Sequence, residues 1–63
     1  GLMFKPGDLV RCNLLSGLYK PLGVVLHKTS ILEYLVYVMH PTRGGPQKQH
    51  VLIDKLEAVN ESR

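Results

Sequence analysis

Glu33-Tyr34-Leu35-Val36-Tyr37-Val38-Met39-His40 is the stretch that decides the fold. Extended, it places Tyr34, Val36 and Val38 on one face and Leu35, Tyr37 and Met39 on the other. A helix over Ile31–Met39 is excluded on two grounds. Tyr, Val and Ile lose χ1 freedom there, and the apolar set leaves no polar gap at the 3.6-residue period. A strand that is apolar on both faces lies inside a sheet, or has its second face covered.

Working outward, Gly and Pro cut the rest of the chain into pieces too short for ordinary helices: Pro6-Gly7, Gly17, Pro21, Gly23, Pro41 and Gly44-Gly45-Pro46. Strands fit these intervals. Leu9–Asn13 alternates behind the Pro6-Gly7-Asp8 turn, with Val10 and Cys12 on one face. Gly23–Lys28 carries Val24-Val25-Leu26, whose inward member is left open between the two valines. Gln47–Leu52 and Leu56–Val59 follow, separated by Ile53-Asp54-Lys55, which is long enough for one helical turn with Asp54 as its cap. Five short strands with turns between them predict an all-β fold, a small barrel or sandwich. The predicted core is Val10, Cys12, Val24 or Val25, Val36, Val38, Val51, Ile53 and Leu56.

Composition sets the limits. With 63 residues, 44% of them apolar and 21% charged, the chain is one small globular domain. It is too apolar for a disordered segment and too short for a two-domain enzyme with a deep cleft. The single Cys12 excludes an internal disulfide, so the core must hold the fold without one. No apolar run reaches the roughly 18–20 residues of a membrane span, and nothing reads as a signal peptide. Residues 3–60 form the expected domain and 61–63 a frayed tail. Met3 reads as a natural start behind a Gly1-Leu2 cloning remnant, or as an ordinary internal methionine.

Phe4-Lys5-Pro6-Gly7-Asp8-Leu9-Val10-Arg11 resembles the opening of SH3-like small barrels, KOW-type modules among them. Gly23-Val24-Val25-Leu26 is similar to their glycine-led second strand. Val51-Leu52-Ile53-Asp54-Lys55-Leu56-Glu57-Ala58-Val59 resembles their helical turn and closing strand. The resemblance implies a five-stranded SH3-like barrel with one short helical turn before the last strand. The end, Leu56–Arg63, is also similar to short uncharacterised proteins encoded by tailed phages of marine bacteria. That likeness implies the bacterial host cytoplasm or the virion, without secretion. Both likenesses mark a fold and not a reaction.

Chemistry-bearing residues are sparse. Cys12 shares a face with Val10 and reads as a core thiol. The carboxylates Asp8, Glu33, Asp54, Glu57 and Glu61 show no spacing that pairs them for acid–base work. His27, His40 and His50 lack the close ligand spacing of a zinc site. No enzyme activity, cofactor or metal is expected. Two surface features remain. Asn13–Leu22 is apolar where loops are polar, and Leu14, Leu15, Leu18, Tyr19 and Leu22 either plug the barrel or form a protein interface, with a partner or between two copies. The net charge of +3 suggests a nucleic-acid alternative using Arg11, Lys20, Lys28, Arg43 and Lys48. Tyr19, Tyr34 or Tyr37 would then be stacking faces. The leading expectation is a small interaction module that binds protein or itself, with no membrane involved.

Overall fold

The computed structural model describes residues 3–14, 18–41 and 44–59. The elements run β1 (Leu9–Cys12), β2 (Leu22–Ser30), β3 (Glu33–Val38), β4 (Gln47–Leu52), a 3₁₀ turn (Ile53–Lys55) and β5 (Leu56–Ala58). They form one antiparallel five-stranded sheet in the order β4-β3-β2-β1-β5. The all-β class, the strand count and the helical turn before the last strand follow the sequence reading. The ladder is not closed, because β4 and β5 are its two edges. Leu22 belongs to β2, not to the loop where the sequence placed it. β2 runs on to Ser30 because irregularities between Val25 and His27, and again between Lys28 and Ser30, let it bend while staying paired with β3.

Strand parity sorts the side chains. Residues directly opposite one another in an antiparallel pair share a face. Val25 pairs with Val36 and Tyr34 with Val51, while Cys12 pairs with Leu56, and all six are buried. Val25 is therefore the inward valine, and Val24 points the other way. The core is Phe4, Val10, Cys12, Val25, Tyr34, Val36, Val38, Val51 and Leu56, with Leu14 and Ile53 packed against it half-buried. Phe4 and Tyr34 were absent from the predicted core. Their rings meet edge-to-face at 5.7 Å, and the Phe4 N–H donates to the Tyr34 hydroxyl oxygen at 3.2 Å. The segment before the first turn is thereby drawn onto the sheet.

Two glycines are required by geometry. Gly7 has φ +93° in the Pro6-Gly7 turn, and its N–H donates to the Val25 carbonyl at 2.7 Å. Asp8 completes that turn, accepting the Lys5 N–H on Oδ2 at 2.9 Å. Gly23 is needed for space, since a Cβ there would lie 2.6 Å from Val36 Cγ1 and 3.0 Å from Cys12 Sγ. Asp54 does not cap the 3₁₀ turn. The N-cap is Leu52, without a side-chain hydrogen bond, because Asp54 already lies inside the first turn.

Candidate interaction surface

Three adjacent cross-strand rows on the face of the sheet opposite the core form the candidate surface. Leu9 pairs with Val24, Val24 with Tyr37 and Tyr37 with Lys48, which makes one row across four strands. On one side of it lie His27, Leu35 and His50. On the other lie Leu22, Arg11 and Glu57, extended by the Met39 N–H, which donates to the Leu22 carbonyl. Leu9 is 42% exposed and Tyr37 39%, while Leu22, Val24, Leu35 and Met39 are half-buried. The second apolar face of β3 is thus only partly covered.

The first loop supplies that partial cover at one end. The Tyr19 hydroxyl donates to the His40 carbonyl, Arg11 Nη1 to the Lys20 carbonyl at 3.1 Å, and Lys20 Nζ to Glu57 Oε2 at 2.8 Å. Leu14 turns onto the core, whereas Leu18 is 99% exposed and Tyr19 is exposed. The loop therefore divides. Among its described residues, Leu14 packs on the core, and Leu18 and Tyr19 stand in solvent. Leu15 lies outside the described residues.

Among the described residues the candidate cations do not converge. Arg11 and Lys48 share the outer face but sit on β1 and β4, about 14 Å apart at roughly 4.8 Å per strand. Lys20 is paired with Glu57. The irregularity after Val25 puts Lys28 opposite Tyr34, on the core side at the sheet's end, with its ammonium 6.0 Å from the Tyr34 ring centre. Arg43 lies outside the described residues. Tyr34 is buried and offers no stacking face, which corrects its place among the candidate platforms.

Cys12 is fully buried, and loss of solvation pushes its thiol up to about 11, so it is a poor nucleophile. His27 and His50 flank Leu35, and His50 Nδ1 lies 3.0 Å from Glu33 Oε2. Among the described residues, no three His, Cys, Asp or Glu side chains are grouped to hold a metal ion. No helix there is long and apolar enough to cross a membrane. Compared with known families, curated proteins and solved structures, the chain matches none.

Proposed function

We propose that the curled sheet is an SH3-like barrel serving as a small non-enzymatic interaction module, which binds protein or a second copy of itself through its outer face. The observation that carries this reading is the Leu9–Val24–Tyr37 row, with Leu9 and Tyr37 exposed, together with the exposed Leu18 and Tyr19 of the first loop. Burying apolar surface gains about 25 cal/mol per Å², and a row with aromatic and aliphatic members is a suitable centre for an interface. The Pro6-Gly7-Asp8 turn ahead of β1 and the 3₁₀ turn ahead of β5 support the SH3-like assignment. The scatter of Arg11, Lys28 and Lys48 over both faces weighs against a nucleic-acid surface.

Sedimentation from low to high micromolar concentration tests the self-association form. Mass should rise with concentration, and Leu18→Asp or Tyr37→Glu should abolish the rise. Because Leu18 stands in solvent, Leu18→Asp should leave the melting temperature unchanged. Strict monomer behaviour, together with no partner retained on the immobilised protein but lost on the Tyr37→Glu form, removes the outer-face reading. Retention on heparin that falls steeply with salt would put the nucleic-acid reading in its place.

A further inference from the structure

The free edge of β4 borders the outer face at Lys48 and His50, but its exposed backbone groups are a feature distinct from the apolar row. The Ile53 N–H donates to the Leu32 carbonyl at 2.8 Å, one rung beyond the Leu52–Glu33 pair. Hydrogen-bonded and non-bonded rungs alternate in an antiparallel ladder. Gln47, Gln49 and Val51 therefore exchange bonds with β3, while Lys48, His50 and Leu52 turn their N–H and C=O groups toward the edge. The Met39 N–H to Leu22 carbonyl bond gives the same parity from the other side of β3. Among the described residues these edge groups have no backbone partner. β4 pairs with β3 over six consecutive rungs without a shift, so this edge is straight, whereas the other edge, β5, has three residues. Long straight edges of this kind accept an added strand.

The side chains on the same three residues say what that strand carries. Lys20 is paired with Glu57 and His50 with Glu33, but Lys48 has no carboxylate at salt-bridge distance among the described residues. At the other end Leu52 is 50% exposed and, with Leu32, Ile53 and Asp54, lines an apolar cleft of about 160 Å³. Asp54 disfavours a carboxylate there, so the charge preference runs along the edge. A second copy fits poorly. Of the two-fold pairings that keep the faces matched, the two with the longest overlap put Lys48 against the copy's His50, or His50 against His50 and Lys48 against Leu52. In neither does a carboxylate meet Lys48.

We infer that the β4 edge binds an extended segment of a partner protein by strand addition. One carboxylate of that segment lies opposite Lys48, and an aliphatic side chain four residues away lies against Leu52 and Leu32. Main-chain bonds supply the attachment, and the two side chains set the register.

The probe is a blocked heptapeptide, Thr-Val-Thr-Thr-Thr-Glu-Thr, added to the full chain and followed by amide hydrogen exchange. In the free protein the amides of Lys48, His50 and Leu52 should exchange fast and those of Gln49 and Val51 slowly. Saturating peptide should slow the first three by roughly tenfold or more. Lys48→Glu should weaken binding by roughly tenfold, and a peptide with Lys in place of Glu should recover it. His50→Pro removes an outward donor that makes no bond to β3, so it should lose binding while keeping the fold. No slowing at millimolar peptide would overturn the inference, as would edge amides already protected in dilute free protein. Protection that grows with protein concentration alone would assign the edge to a second copy and reject the acidic segment. Either failure leaves the sedimentation result on the outer face untouched.

Discussion

Gly23→Ala should destabilise the protein, and the structure sets both the size and the cause. The added methyl would meet Val36 Cγ1 at 2.6 Å, Cys12 Sγ at 3.0 Å and the Tyr37 carbonyl at 3.2 Å. None can retreat easily. Val36 and Cys12 are fully buried, Val36 is stiff at χ1, and the Tyr37 oxygen is backbone. Overpacking of this kind costs about 1–3 kcal/mol. Against it stands the loss of unfolded-state freedom on replacing glycine, worth about 0.4–1 kcal/mol in the opposite sense. Gly23 does not have a positive φ, so no backbone strain is added. The net expectation is a loss of about 1–2 kcal/mol, which in so small a domain lowers the melting temperature by about 4–16 °C. Thermal and urea unfolding followed by circular dichroism measure it. Val36→Ala alone should cost roughly 1–3 kcal/mol through the cavity it leaves. It also deletes the methyl that the new Cβ strikes. The double variant should therefore be more stable than the sum of the singles by at least about 0.5 kcal/mol. A Gly23→Ala protein as stable as the parent, or strict additivity in the double variant, would refute the close-approach argument.

Three further outcomes follow from the same geometry. Gly45→Ala meets nothing within 4 Å and should change stability by less than about 0.5 kcal/mol, whereas Gly7→Ala, at φ +93°, should cost about 1–2 kcal/mol. Tyr34→Phe keeps the ring contact but leaves the Phe4 N–H without its acceptor, a loss of about 1 kcal/mol that urea unfolding will resolve. Cys12 should resist thiol reagents at pH 8 until the protein is unfolded. Its thiol is raised in the folded state from 9.0 to about 11, so its contribution to stability is complete below pH 9 and lost as pH climbs toward 11. Rapid native labelling at pH 8 would contradict its burial.

The strands were legible because their signals are local. Gln47–Leu52 and the turn Ile53–Lys55 have the predicted bounds, and the Pro6-Gly7-Asp8 turn lies ahead of β1 where it was read. What escaped depends on contacts distant in sequence. Phe4 lies outside every strand, and its place in the core comes from Tyr34, thirty residues away. The choice of Val25 over Val24 needs the register with Val36. The dispersal of the cations rests on one irregularity in β2. Without it Lys28 would face the same way as Val24, but a bulge is a property of the paired sheet, and Val24-Val25-Leu26-His27 carries no mark of it.

The two apolar faces of β3 have separate roles. Tyr34, Val36 and Val38 are buried in the core, so they carry stability. Leu35, Tyr37 and Met39 alternate with them on the outer face, which a loop crosses only at the Met39 end, through exposed polar ties: Tyr19 to His40, Arg11 to Lys20 and Lys20 to Glu57. Exposed ion pairs such as Lys20–Glu57 are worth about 0–1 kcal/mol, a small force for holding a loop in place. A partner that buries the Leu9–Val24–Tyr37 row therefore has little to displace. Substitutions at even positions of this strand should act on folding, and Tyr37 should act on binding, because strand parity sends adjacent residues to opposite surfaces. The double apolar pattern that marked Glu33–His40 as an interior strand in the sequence resolves into one face buried in the core and one partly exposed, the face proposed to meet a partner.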